Sequence, residues 1–159
     1  MSPAPDAALL ERLRASGIRL DREGRFWHEG ATVQHEGMRS TFFRWLDRLP
    51  PPDGRFVLRL DEQRFVYLDV EDTPLVATSL RWQGDRAWLG LNDGQEEALD
   101  PATLTIDEAG VLRAGVRAGR LEARLATAAA AALEEHVTWR EGRPFLATAA
   151  GPRAIASRG

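Results

Sequence analysis

The sequence predicts an α+β protein with two strand–helix–strand lobes, a pattern that suggests duplication, around a central antiparallel sheet. Three observations predict it. From Gly54 to Gly110, short runs rich in β-branched and aromatic residues alternate with clusters of Gly, Asp, Asn and Pro, which marks successive short strands. Apolar stripes at helical spacing lie before and after that region. Finally, Gly24-Arg25-Phe26-Trp27, a helix and Gly54-Arg55-Phe56-Val57 are echoed by Gly110-Val111-Leu112-Arg113, a helix and Val137-Thr138-Trp139-Arg140.

Taken in order, Asp6 can cap a helix running to about Ser16, with Ala7, Leu10, Leu13 and Arg14 near helical spacing, and Gly17 stops it. Ile18–Leu20 alternates, Asp21–Gly24 turns and Arg25–His28 alternates again, giving a short hairpin. After Glu29-Gly30 a brief extended piece surrounds Thr32 and Val33. Met38, Phe42, Trp45, Leu46 and Leu49 then follow i, i+4, i+7, i+8, i+11, one apolar stripe on a helix from Glu36 to Leu49. Trp45 is core by that stripe, and Pro50–Gly54 ends the helix. Strands are expected at Phe56–Leu60, Phe65–Val70, Val76–Trp82 and Ala87–Leu91, with hairpin turns at Asp61–Gln63 and Gln83–Asp85. Asn92–Gly94, Asp100-Pro101 and Asp107–Gly110 are further turns.

A second helix is expected from Arg120 to Glu135, with Leu121, Leu125, Ala128, Ala132 and Leu133 as its stripe. The run Ala128–Ala132 has the best helix-forming composition available. Val137–Arg140 and Pro144–Leu146 around Glu141-Gly142 read as a closing hairpin, and the residues after Ala149 as a frayed tail. The organisation expected is an N-terminal helix over 1–16, an α+β lobe over 17–72, a β-rich lobe with a closing helix over 73–149, and a flexible tail over 150–159.

The stretch Arg64–Ser79 is the expected centre: strand, turn, strand. Pro74 fixes its own φ and pushes Thr73 out of the helical region, so the bend is stiff. Asp72 is expected to accept a hydrogen bond from a backbone N–H two residues on, closing the same bend.

Composition narrows the function. With 159 residues the chain can build one good core or two small lobes. A net charge of −3 leaves no basic field to hold phosphate backbones, so no nucleic-acid partner is expected. No apolar run of about 18 residues appears, and Met1–Asp6 has neither a basic nor an apolar leader region, so a cytoplasmic protein with no membrane partner is expected. There are no cysteines, which removes disulfides and thiolate chemistry, and all 21 basic residues are arginine, which removes lysine Schiff bases and a phosphate-loop lysine.

No nucleophile elbow, phosphate loop or dinucleotide fingerprint is present, so no catalytic residue, cofactor or enzyme activity is expected. His28 and His35 each open a His-Glu-Gly triplet, which is not the His-Glu-x-x-His zinc pattern, and no metal site is expected. Glu71 and Asp72 are adjacent, so on a regular strand they face opposite ways and form no catalytic pair.

Val70-Glu71-Asp72-Thr73-Pro74-Leu75 resembles the valine-glutamate-aspartate-alanine-proline-phenylalanine signature of the bacterial domain-of-unknown-function family 1285. Gly24–Gly30 resembles its glycine, aromatic, glycine opening, Val33-Gln34-His35 its lead into the first helix, and Leu121–Leu125 its final helix start. The likeness runs from about 17 to 146. It departs at His35, where the family has arginine, at Leu60–Arg64, where a lysine is lost, at the alanines of the last helix, and at Trp139–Gly142. The resemblance implies a duplicated two-lobed core, a C-terminal lobe superficially like a pleckstrin-homology domain, a nucleotide-like small-ligand site between the lobes, and a link to signalling. It brings no activity with it.

On that basis the expected ligand is an anionic small molecule, held by Trp27, His35, Arg39, Glu71, Asp72 and Arg124, and the expected role is ligand sensing or an adaptor to a signalling protein. Glu71 is open to a second use, an ion pair with Arg124 or Arg39. His35 near a helix start, with Arg39 four residues on, is suited to an anion at the amide-rich N-terminus. Of Trp27, Trp82, Trp88 and Trp139, at least one is expected to line a pocket between the lobes. A protein-interaction module without a ligand is the alternative, and a hydrolase the third.

Overall fold

A computed structural model describes residues 14–158, and it divides into two compact units, one running to Asp72 and the other starting at Thr73. The protein is mixed α+β and mostly sheet. The first unit holds strands β1 (Ala15–Leu20), β2 (Phe26–His28) and β3 (Ala31–Thr32), helix α1 (Glu36–Trp45), then β4 (Leu46–Arg48), β5 (Phe56–Arg59) and β6 (Phe65–Val70). They form one sheet in the order β3-β2-β1-β6-β5-β4, antiparallel except where β1 lies parallel to β6. Leu20, Phe26, Phe43, Val57, Leu58 and Leu68 make its core, with Phe26 edge-on to Phe42 and Phe43 at 5.3 and 5.0 Å.

The second unit opens with β7 (Leu75–Gln83), β8 (Arg86–Leu91), β9 (Glu96–Ala98) and a 3-10 turn at Pro101–Thr103. There follow β10 (Thr105–Ile106), β11 (Leu112–Val116), β12 (Leu121–Leu125), helix α2 (Thr127–Glu134), β13 (Val137–Arg140), β14 (Arg143–Thr148), β15 (Gly151–Ala154) and β16 (Ala156–Ser157). Seven strands order as β16-β10-β11-β12-β7-β8-β9, and three as β13-β14-β15.

The order of pairings in the first unit recurs in the second. Strands β12-β11-β10 stand for β3-β2-β1, and the β15–β16 run stands for β6, pairing with β14 on one side and lying parallel to β10 on the other. The echo at Gly24 and Gly110 falls in two turns with the same hydrogen bonds. Asp21 Oδ1 accepts from Glu23 N and Arg25 N, and Asp107 Oδ1 from Ala109 N and Val111 N, all between 2.8 and 3.0 Å. Gly24 and Gly110 supply the left-handed φ, +85° and +83°, that each turn requires.

Several expectations are corrected. The expected N-terminal helix lies outside the described residues up to position 13; Arg14 is helical, but Ala15 and Ser16 already belong to β1. Helix α1 stops at Trp45, and Leu46–Arg48 is a strand. The spacing of Leu46 from Phe42 also suits a strand, and Asp47 turns in to meet Arg59 at 2.9 Å. Trp45 is only half-buried, and the helix buries Phe43 instead. Leu121–Leu125 is strand β12, with Leu121, Ala123 and Leu125 inward. A separation of four fits both periods, so the two leucines could not decide between helix and strand.

Arg64–Ser79 is not a hairpin: β6 pairs with β5 and β1, β7 with β8 and β12, and Glu71–Pro74 links the two units. Among the described residues there is accordingly no single central sheet but three. Asp72 cannot close the bend as expected, because the residue two on is Pro74, which has no N–H. The buried Thr73 fastens the bend, donating from Oγ1 to Leu75 O at 2.7 Å and accepting from Arg124 N at 3.1 Å. Finally, the expected flexible tail is strands β15 and β16, held by the buried Ile155 between them.

Candidate functional site

The first unit carries a concavity of about 570 Å³ along the seam of β1 and β6. Beside it lies a bulge. Ala15 pairs with Tyr67 and Arg19 with Asp69, so β1 uses four residues where β6 uses two. Gly17, at φ +69°, absorbs the excess, and Ser16 locks it by donating from Oγ to Tyr67 O at 2.6 Å and accepting from Ile18 N at 3.1 Å. The hollow beside the bulge is lined by Arg19 of β1, by Tyr67 and Asp69 of β6, and by Arg55 just before β5.

The two arginines are held differently. Arg55 lies over the Tyr67 ring, its Cζ 4.0 Å from the centroid, and grips Asp53 through Nε and Nη2 at 2.9 and 2.8 Å. Those side-chain bonds, with the Arg55 backbone N–H, hold the Asp53 carboxyl down at about 2. Among the described residues, the Arg19 guanidinium is supported by the Trp27 ring, 5.1 Å from its Cζ. It stands opposite Asp69 in the ladder, and among the described residues neither side chain is in an ion pair.

Trp27 is itself fixed by Asp21. This buried carboxylate accepts from Trp27 Nε1 at 2.8 Å, from Arg25 Nε at 3.1 Å and from two backbone amides. Burial pushes its pKa up, but the indole and the Arg25 bonds outweigh it, and the carboxyl titrates below its ordinary value.

Of the six residues expected to hold a ligand, five lie in the first unit and Arg124 in the second. Trp27 does not line the hollow and meets it only through the Arg19 contact just described. His35 is the N-cap of α1, its Nδ1 accepting from Met38 N at 3.2 Å, so the imidazole occupies an amide that an anion would use. Arg39 is on α1, half-buried. Glu71 accepts from Arg22 N at 2.9 Å and donates its own amide to Leu20 O, which ties the end of β6 to the β1–β2 turn. Asp72 ends the first unit, and Arg124 lies on β12 with its amide on Thr73. The residues that sequence reasoning missed, Arg19, Arg55, Tyr67 and Asp69, look like ordinary strand positions. Strand pairing brings them together, and Gly17 between a polar and an apolar residue was the one trace of the bulge beside them.

The second unit has its own hollow of about 480 Å³, lined by Trp82, Asp85, Arg86, Asp100 and a series of alanines. Trp82 is pinned by donation from Nε1 to Ala132 O at 2.9 Å and by stacking on His136 at 3.7 Å. Among the described residues no three His, Cys, Asp or Glu side chains gather as a cation site would need, and no helix is long and apolar enough to cross a membrane.

Two solved proteins decide the fold. One, from Silicibacter pomeroyi DSS-3, is 20% identical and superposes with a TM-score of 0.72 over 98% of this chain and 90% of its own. The other, from Shewanella baltica OS155, is 16% identical, with a TM-score of 0.59 over 72% of this chain and 87% of its own. Both are DUF1285 family proteins. This chain has the DUF1285 fold. The shared fold agrees with the family resemblance read in the sequence. No family model and no curated protein matches the sequence. At these identities the shared DUF1285 fold carries no residue role across.

Proposed function

We propose that the chain is a non-catalytic small-ligand-binding protein whose first unit takes a small anion in the β1–β6 hollow. One observation carries the reading: Arg19 and Arg55 face the same concavity, and among the described residues no ion pair engages Arg19. Guanidinium pairs suit carboxylate or phosphate, and Tyr67 and Trp27 hold the two cations from behind. Asp69 on the same wall would accept a hydrogen bond, which favours a ligand bearing a hydroxyl or amino group beside its anionic group. A volume of about 570 Å³ suits a metabolite rather than a polymer.

Within this reading the protein works in the cytoplasm as a sensor or adaptor in signalling, and the repeated order of strands reflects duplication. The second unit, two meanders followed directly by a helix, is taken as pleckstrin-homology-like. Trp27 acts through Arg19, while His35 and Glu71 serve the frame of the hollow.

The test is a thermal-shift screen with carboxylates, sugar phosphates and nucleotides, followed by calorimetry on any hit. A ligand at about a hundred times its dissociation constant should add about 2.7 kcal/mol. Arg19→Ala should remove the response and Arg86→Ala, in the other unit, should leave it. A flat screen, or equal loss in both variants, would sink the proposal. A second reading rests on Trp139, 60% exposed on strand β13 at the edge of the three-stranded sheet, which suits contact with a protein partner.

A further inference from the structure

The hollow of the second unit joins a fixed aromatic wall to a charged rim. It is bounded by the β7–β8 hairpin, by the 98–101 segment that follows β9, and by the turn between β14 and β15. Trp82 is the wall. Its donation to Ala132 O and its stack on His136 hold the indole in place before any ligand arrives, so binding costs no ordering there. Ala87, Ala98, Ala147, Ala149 and Ala150 make most of the remaining lining, and their short side chains leave the volume of about 480 Å³ open.

The hairpin sets the rim. Gln83 pairs with Arg86, so Gly84 and Asp85 alone make the turn, and Gly84 takes its first place at φ +63°, which a side chain would resist. So tight a turn fixes Asp85 and Arg86 side by side at the mouth, both exposed. Arg86 has its Cζ 5.6 Å from the Trp88 ring, and among the described residues neither it nor Asp85 is in an ion pair. Asp100, the third charged group, accepts from Ala102 N through Oδ1 at 3.0 Å and keeps Oδ2 for another donor.

Two carboxylates and one guanidinium around an apolar hollow match a ligand with both charges on a small head and an apolar body. We propose that this hollow binds a free α-amino acid with an apolar side chain. Asp85 and Asp100 take its ammonium, Arg86 takes its carboxylate, and its side chain lies against Trp82 and the alanines. A plain carboxylate would meet two aspartates, a plain amine would meet Arg86, and a residue inside a polypeptide carries neither charged group. The site lies wholly in the second unit and does not rest on the β1–β6 hollow.

The full chain is titrated calorimetrically with leucine, methionine and phenylalanine, then with the N-acetyl and amide derivatives of whichever binds. At least one free amino acid should bind and move the Trp82 indole N–H resonance. Removing either of its charges should weaken binding about tenfold, the worth of one charge-assisted bond at a wet rim. Asp85→Asn and Arg86→Ala should each weaken the free acid by the same factor with circular dichroism unchanged, and Arg86→Ala should bind it no better than its amide. Arg19→Ala should bind as the parent does. No binding of any of the three at millimolar concentration, the result a merely solvated hairpin tip would give, overturns the proposal. An N-acetyl derivative that binds as well as the free acid also overturns it. So does a loss in Arg19→Ala with none in Arg86→Ala, which would move the ligand to the first unit.

Discussion

Asp21 offers the most demanding test of how the first unit is held. Its carboxylate is 4% exposed and accepts four hydrogen bonds, from Glu23 N, Arg25 N, Arg25 Nε and Trp27 Nε1. Replacing it with alanine leaves the Arg25 guanidinium able to turn to water, since that side chain is largely exposed. The two backbone amides and the indole lose a charged acceptor. At about 1–1.5 kcal/mol for each of these three donors, Asp21→Ala should cost about 3–4 kcal/mol. Asp21→Asn keeps an acceptor oxygen and should cost about half of that. The sign of the pH dependence follows from the lowered pKa. A carboxyl depressed in the folded state stabilises above its unfolded value, about 3.9, and that contribution is lost as pH falls through the folded value. Parent protein should therefore lose stability below about pH 4 more steeply than Asp21→Asn does. The assay is urea unfolding at several pH values, followed by hydrogen exchange in Phe26–His28 so that the first unit is read by itself. Asp107→Ala is the internal comparison, because its turn has the same two amide bonds and an arginine but no indole. A loss under about 1 kcal/mol for Asp21→Ala, or equal slopes for parent and Asn, would refute the reasoning.

Two further outcomes are expected. Thr73→Val should destabilise the second unit by about 1–3 kcal/mol, because a methyl neither donates to Leu75 O nor accepts from Arg124 N, and Thr73→Ser should recover most of it in the same unfolding assay. Ile155→Ala should cost about 2–4 kcal/mol and release amide protection in β10 and β14, whereas a truly frayed tail would show no change in either measurement.

Local features were legible in the sequence. The strands at Phe65–Val70 and Val137–Arg140 appear where alternation and turn residues put them, because both signals are local physics. The Asp turns at 21 and 107 were likewise visible, down to the glycine each one needs. Partners were not. Arg64–Ser79 carries every mark of a hairpin, yet its two strands enter different sheets, and nothing in a strand's own residues states which edge it will meet. Leu121 and Leu125 satisfied two periods at once. Gly151–Ala154 has almost no apolar content, and only the single Ile155 signals that the tail is built in. The candidate site was illegible for the same reason: Arg19 of β1, Asp69 of β6 and Arg55 before β5 share one hollow only through strand pairing, which is a property of the sheet and not of any one strand.

The side-by-side first and last strands of the repeated order, β1 with β6 and β10 with β16, also bear on how the chain is made. A ribosome delivers the N-terminus first, at about 5–20 residues per second. The sheet of the first unit lacks its middle until β6 emerges, but β6 ends at Val70, so that unit can close while its neighbour is still being translated. The second is less fortunate. Strand β10 waits with an open edge, and β14 with another, until the residues from 151 to 157 have left the exit tunnel. For that interval the nascent chain presents unpaired β edges, which is the stretch of its life when chaperone capture has the most to prevent.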